Sequence, residues 1–365
     1  MDAIRPLIRS FLADELSAGS FQPRCDAWLS GHDPVFSRRL GQRGWIGMTW
    51  PKRYGGGERS YLDRYVVLEE LLAAGAPVAA HWIADRQTGP LLLRYGTTLQ
   101  KERFLPQIAR GELYFCIGMS EPDAGSDLAS IRTRTQPVKG GLLLSGAKVW
   151  TSHAHRSHFI LTLARTAPKT EARHEGISQL IVDVQSKGVS VRPIKLLTGE
   201  ADFSEVVFDQ VFVPEDMVLG TAGEGWRQVM SELSYERSGP ERFLSTYPLL
   251  AELVRQVGPT ARSEEARAIG ELYARLAALR ELSMEIARGL EGGQLPTIRA
   301  AMLKDLGTRF EREVVETARM LVEPSRGSET FQRLYTEGVT HGPGFTLRGG
   351  TSEILRGIIA RELHA

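Results

Sequence analysis

The stretch SQLIVDVQSKGVSVRPIK, residues 178–195, decides how the chain is built. Two short runs rich in Val, Ile and Leu flank a Ser-Lys-Gly turn, which is the pattern of paired strands. HFILTLAR (158–165) before it and SEVVFDQVFVP (204–214) after it repeat that character, so strands are predicted from about 114 to 218. On either side the period changes. VVLEELLAAG (66–75) and GPLLLRYGTTLQKERFLPQIARGE (89–112) carry apolar residues at helical spacing with Gly and Pro punctuation. GEGWRQVMSELSYER (223–237), SEEARAIGELYARLAALRELSMEIARGLEG (263–292) and PTIRAAMLKDLGTRFEREVVETARMLVE (296–323) do the same, with charged faces that suit packed long helices. The predicted class is α+β and multidomain. It has an N-terminal all-helical domain over 1–113, a central small β-barrel-like domain over 114–218 and a C-terminal helix bundle over 219–365.

Bulk composition excludes several functions. The 365 residues hold 45 basic and 44 acidic side chains, a formal charge of +1, which draws neither nucleic acid nor an anionic membrane. Cys25 and Cys116 are the only cysteines, too few for a disulfide framework. The opening MDAIRPLIRSFLADEL mixes acids and bases, so it reads as an amphipathic helix rather than a signal peptide. A cytoplasmic location is expected.

Three stretches could carry chemistry. FCIGMSEPDAGSDLAS (115–130) is a turn-prone run of small hydroxyl residues whose backbone N–H groups and hydroxyls suit a polar ligand. Gly125 there permits close backbone approach, and the plain alternative is a tight turn between domains. GAKVWTSHAHRSHF (146–159) offers an indole for a planar ligand, though a Trp is more often core. His153, His155 and His158 lack Cys partners or a HExxH frame, and no metal is assigned. LSYERSGPER (233–242) places Glu236-Arg237 and Glu241-Arg242 around a helix-disturbing Gly-Pro. No GxGxxG, GxxxxGK[ST] or GxSxG occurs, which removes nicotinamide, P-loop and α/β-hydrolase readings.

Together with WPKRYGGG (50–57), SEPDAGSD (120–127), KVWTS (148–152), FDQVFVPEDMVLG (208–220) and GGTSEILRGIIARE (349–362), these stretches resemble the acyl-CoA dehydrogenase family. The resemblance covers nearly the whole chain, with the motifs in order. It implies noncovalent FAD, an acyl-CoA substrate, a role in acyl-CoA catabolism, a homodimer or homotetramer and electron-transferring flavoprotein as acceptor. The implied reaction is α,β-desaturation: a carboxylate removes the α-proton and the β-hydride passes to flavin N5. Met119 and Ser120 should then meet the flavin edge, with Gly125 and Ser126 beside the pyrophosphate and the pantetheine. Trp150 should pack on the ring system, Ser152 should approach N5, and Thr351 and Glu353 should contact the flavin from the C-terminal segment. Glu353 stands where the family commonly has Gln.

Most members carry the base in a Tyr-Glu-Gly-Thr motif, matched here by Arg348, Gly349, Gly350 and Thr351. Gly349 has no side chain to act as a base. A branch including isovaleryl- and long-chain-type enzymes places Glu before an Arg on the first long C-terminal helix. That pattern points to Glu236 as base, with Glu241 the second candidate, and to Arg237 as a contact to CoA. Gly349 is left as backbone oxyanion donor. Trp82, in HWIADRQTGP (81–90), falls in the acyl-lining segment and would shorten the pocket, favouring a short, branched or cyclic acyl group. Residues 245–275 lack the family's Arg-x-x-Phe-Gly run, and THGPGFTLRGG (340–350) replaces its Gly-Gly-x-Gly-Tyr turn. Those losses keep a second reading open: a catalytically silent subunit serving as structural partner in a heteromeric dehydrogenase.

Overall fold

The computed structural model describes residues 3–168, 170–236, 239–293 and 297–363. Helices α1 (Ile4–Ser17), α2 (Ala27–Ser30), α3 (Pro34–Gln42) and α4 (Tyr61–Ala73) come first. Then follow α5 (Ala79–Ile83), a π-helical turn (Ala84–Thr88), α6 (Gly89–Tyr95) and α7 (Thr98–Ala109). The strands are β1 (Phe115–Gly118), β2 (Arg134–Val138), β3 (Gly141–Ser152), β4 (Phe159–Arg165), β5 (Ile177–Asp183), β6 (Val189–Ile194) and β7 (Phe203–Pro214). Helices return as α8 (Gly225–Glu236), α9 (Tyr247–Val257), α10 (Ser263–Glu291), α11 (Thr297–Leu321), α12 (Glu329–Phe345) and α13 (Ser352–Leu363). The class is the expected one: N-terminal helices, a central curled sheet and a C-terminal helical domain.

In space the chain forms two units. One gathers Met1–His32, Arg59–Val78 and Ser234–Ala365, and the other Asp33–Glu58 and Ala79–Leu233. The helices of 1–113 are thus shared between two cores, because their apolar faces have different partners. In the helical unit α1 buries Ile8, Phe11 and Leu12 and packs on α4, which packs in turn on α10. Tyr65, Met284 and Ala287 form the α4–α10 contact. Glu69 of α4 accepts from Arg5 at 2.9 Å and from Arg280 at 2.5 Å, tying three helices by charge at the edge of that contact.

In the sheet unit α7 supplies Phe104, which meets Phe115 of β1 and Phe159 of β4 edge-on at 5.6 and 5.2 Å. A capping box at Thr97 and Gln100 starts that helix. The sheet runs β1-β4-β2-β3-β7-β6, with β5 on β4. β1 and β4 are parallel, while β3–β7, β4–β5 and β6–β7 are antiparallel. The β3–β7 register shifts between Leu144 and Gly146 and again between Lys148 and Thr151. Such bulges bend a strand and re-aim its side chains. Among the described residues no helix is long and apolar enough to cross a membrane, and Cys25 and Cys116 are both free and buried.

Candidate functional site

Beyond β1 the chain enters a loop, Met119 to Thr133, whose two ends are fastened and whose tip is exposed. Glu121 N–H donates to Ala124 O at 2.9 Å and Ala124 N–H returns to Glu121 O at 3.1 Å. The Glu121 side chain turns inward. Its Oε2 accepts from Arg132 N–H at 2.6 Å, and its Oε1 from Thr133 N–H at 3.0 Å and Lys148 Nζ at 2.8 Å. Lys148, fully buried on β3, also donates to Met119 O at 2.9 Å. Burial pulls the Lys148 ammonium down to about 8 despite its carboxylate partner. Burial alone would raise Glu121, but Lys148 and the backbone donors outweigh it and leave it below the usual carboxylate range. Met119 packs on the apolar cluster of Ala124, Ile131, Leu163, Ile177 and Val229. Gly125 and Ser126 lie at the exposed tip, and a Cβ at Gly125 would meet nothing within 4 Å.

The adjacent rung is the second β3 bulge. Val149 N–H donates to Ser120 O at 2.9 Å, so loop and strand travel together. One residue on, Trp150 sits at φ +60° with its indole 56% exposed. A bulky residue in the left-handed region costs about 1–3 kcal/mol and persists only where its surroundings impose it. An apolar ring held outward at that cost is a binding surface in search of a flat partner. Phe203 supports it edge-on, with centroids 6.1 Å apart. Thr151 is buried beneath, with no partner for its Oγ1 among the described residues, and Ser152 ends the strand half-buried opposite Phe203.

The three histidines are held by ordinary hydrogen bonds. His153 N–H donates to Asp202 O at 2.7 Å, His155 Nδ1 lies 3.1 Å from Ser204 Oγ, and His158 Nδ1 accepts from Tyr114 N–H at 3.0 Å. Among the described residues no His, Cys, Asp and Glu cluster could hold a metal ion.

Met119, Ser120, Gly125, Ser126, Trp150 and Ser152 therefore share one loop and one strand end. Trp82 lies elsewhere in the sheet unit, 2% exposed on α5, with the Arg86 guanidinium 5.4 Å from its ring. Asp85 beside it accepts Gly47 N–H at 2.8 Å. Sequence reasoning gave no role to Glu121 and Lys148, although both stand inside quoted motifs. The available signal was a lysine between Ala147 and Val149 in a strand-like run, which demands an acid nearby when it is buried.

In the helical unit Glu236 is the last residue of α8, described there by its backbone, and Arg237 lies outside the described residues. Glu241 is 1% exposed, 3.9 Å from Arg242 Nε, and Arg242 stacks over Trp28 at 5.0 Å. Gly349 and Gly350 take φ of +66° and +96°, conformations that only glycine enters freely. Thr351 Oγ1 then accepts Ile354 N–H at 3.4 Å and caps α13. Glu353, in the first turn, is exposed; its own backbone N–H and the Thr351 hydroxyl hold its carboxyl below the usual range. An anion there is matched to the helix end.

A buried lysine and a half-buried arginine border the glycine turn. Lys304 of α11, fully buried, donates to Phe345 O at 3.2 Å and Gly350 O at 2.8 Å. Arg348 forks onto Asp26 at 2.5 and 2.6 Å and lies over Trp28 at 4.4 Å and Phe345 at 5.0 Å. Asp26 is fully buried, with His341 Nδ1 at 3.2 Å. Burial would raise its carboxyl, but Arg348 and His341 bring it down to about 2.

Sequence profiles of three domains match in order. They are acyl-CoA dehydrogenase, N-terminal domain, over 1–112, middle domain over 116–211 and C-terminal domain over 262–364. The chain belongs to the acyl-CoA dehydrogenase family. Acyl-CoA dehydrogenase IpdE1 of Mycobacterium tuberculosis is 33% identical over 388 residues, spanning 100% of this chain and 97% of that protein. Acyl-CoA dehydrogenase FadE34 of the same organism is 34% identical over 329 residues, covering 89% of this chain but 45% of its own length. Among solved structures, the Tcur3481-Tcur3483 steroid ACAD superposes with a TM-score of 0.88 at 29% identity, covering 98% of this chain and 95% of that one. The ChsE4-ChsE5 complex from Mycobacterium tuberculosis gives 0.82 at 27% identity, with 98% and 95% covered.

Acyl-CoA dehydrogenases are FAD-dependent oxidoreductases, and this chain is one of them. Its residues fit the cofactor. An outward indole, open space at the Gly125 tip and an orphaned buried hydroxyl at Thr151 are what a flat, polar-edged ring system requires.

Proposed function

We propose that the chain catalyses α,β-desaturation of an acyl-CoA thioester with Glu236 as the base that takes the α-proton. The observation that carries this is the exposed Trp150, held in a strained conformation beside the hydroxyl-bearing loop that Glu121 and Lys148 lock in place. Met119, Ser120, Trp150 and Ser152 would hold the flavin ring, and Gly125 and Ser126 its pyrophosphate and the pantetheine. FAD, when bound, supplies the acceptor for the β-hydride. Thr351 and Glu353 of the C-terminal segment are further flavin contacts in this reading. The Gly349 N–H donates to the thioester oxygen as charge develops there, the term that usually contributes most to such catalysis. Arg237 binds the CoA portion. Electron-transferring flavoprotein is the proposed acceptor, and the cytoplasm the proposed location.

Burial of Glu241 against Arg242 favours Glu236 over its rival, since a base must reach substrate. A neighbour described as a steroid ACAD supports a bulky cyclic acyl group. The test is anaerobic mixing of FAD-loaded protein, and of Glu236→Gln, with straight, branched and ring-bearing acyl-CoAs while flavin absorbance is followed. Bleaching in the wild type that vanishes in the variant, with FAD retained, is the expected result. Equal bleaching in both refutes Glu236.

A second reading has specific support. Both structural neighbours above are described by two chain names, and the Arg-x-x-Phe-Gly run is missing here. In that reading the chain is one subunit of a heteromeric dehydrogenase, and in its extreme form a silent one. Flavin retained by the chain expressed alone, at homodimer or homotetramer mass, argues against it.

A further inference from the structure

Two consecutive residues at φ +66° and +96° make Gly349–Gly350 conformationally the freest backbone a chain can hold. A hydrogen-bond donor that stabilises developing charge must instead be fixed to about 0.5 Å. The helical unit resolves this conflict with buried charge. Lys304 reaches two carbonyls of the same segment, Phe345 O before the turn and Gly350 O within it, and so sets the span between them. Arg348, between those two points, is pinned by its fork to Asp26 and by the Trp28 and Phe345 rings. Asp26 is itself anchored: its N–H donates to Ser245 O at 2.7 Å, and its backbone sits at φ +57°.

Stability alone does not explain this arrangement. Buried ion pairs are often no better than well-packed apolar side chains of similar volume. A fully buried lysine directed at main-chain carbonyls holds backbone, which a Met or Leu at position 304 would not do.

We infer that Lys304, Arg348 and Asp26 are positioning residues that fix the Gly349 N–H for the thioester oxygen. The inference rests on the oxyanion role proposed for Gly349. These three side chains touch neither substrate nor cofactor in this account; they act through the turn.

The test uses FAD-loaded protein and an acyl-CoA analogue with sulfur in place of the β-methylene. That analogue can lose its α-proton but cannot give up a β-hydride. The α-carbon–hydrogen bond breaks, the proton goes to the base, and the electron pair spreads onto the thioester oxygen without any oxidation. The absorbance of the bound anion is titrated against pH, and binding of the neutral analogue is measured separately. Lys304→Met should lower the anion-to-neutral ratio at fixed pH by about tenfold or more, with the neutral form's Kd within about threefold. Arg348→Lys should move it in the same direction by less. Lys304→Gln, which keeps an uncharged N–H donor group on a shorter arm, serves where Lys304→Met does not fold, and should give an intermediate loss. An unchanged ratio in folded variants, with only the melting temperature lowered, overturns the inference and leaves Gly349 untouched. A wild type that leaves the analogue fully protonated overturns the Gly349 role, and this inference with it.

Discussion

Replacing Glu121 by Gln tests the reasoning about the loop most directly. Three donors converge on that carboxylate: Arg132 N–H, Thr133 N–H and the Lys148 ammonium. A Gln side chain accepts with one oxygen only and presents N–H groups to the remaining donors. One backbone N–H then loses its acceptor, at about 1–3 kcal/mol. The charge adds a second loss, but a bounded one. Lys148 already sits at about 8 rather than 10.5, so at pH 7 it can shed its proton for about 1.4 kcal/mol, and the charge penalty does not exceed that. The sum is about 2–4 kcal/mol at pH 7. At pH 9 the wild-type amine is mostly neutral, and the charge part disappears. A lysine depressed in the folded state contributes stability above its unfolded value that is lost as pH falls through the folded one. Wild-type stability from this group therefore drops between about 10.5 and 8. Urea unfolding at pH 7 and pH 9 reads these changes, with Lys148→Met and the double variant completing the cycle. The double variant should cost less than the two singles together by about 1 kcal/mol or more. A Glu121→Gln cost that is the same at both pH values and additive with Lys148→Met would refute the coupling.

Two further outcomes are expected. Trp150→Gly relieves the φ +60° strain and removes an exposed ring, so the melting temperature of the FAD-free protein should hold or rise, while flavin affinity falls by about tenfold or more; fluorescence titration with FAD measures it, and undiminished affinity would remove the indole from the site. Glu311 is buried, and although Arg348 and Ser245 N–H partly offset that burial, its carboxyl is raised to about 7 from 4.5. A raised group stabilises below its unfolded value and loses that contribution as pH rises through the folded one, so roughly 3 kcal/mol should fade between about pH 4.5 and 7; Glu311→Gln should flatten a melting-temperature profile across that window, and an unaltered profile would assign the slope elsewhere.

The element types were legible because each rests on local pattern. Runs rich in Leu, Ile, Val and Phe in 178–185 and 204–214 became β5 and β7, and the long periodic stretches became α10 and α11. What pattern cannot carry is which core a helix joins. α4 and α7 read alike as amphipathic helices, yet Tyr65 packs with Met284 while Phe104 packs with Phe115. Sequence separation hides such choices. The same applies to the site: Trp150 and Ser120 were visible as candidates, but the Glu121–Lys148 pair spans 27 residues and the Asp26–Arg348 pair 322. The bulge that turns Trp150 outward left no local mark either, because it arises from the register of β3 on β7.

The division of the chain also orders its birth. The sheet unit is drawn from residues 33–58 and 79–233, so every segment it needs has been synthesised once the ribosome passes position 233. The helical unit joins residues 1–32 and 59–78 to a last segment that starts only at position 234. Until α10 emerges, Tyr65 of α4 lacks the Met284 and Ala287 surface that it finally covers. Domains generally fold as units during synthesis, and exposed apolar faces are where aggregation begins. The α10-facing side of α4 therefore stays unshielded while about two hundred residues are made, a period when a chaperone that holds amphipathic helices would matter most.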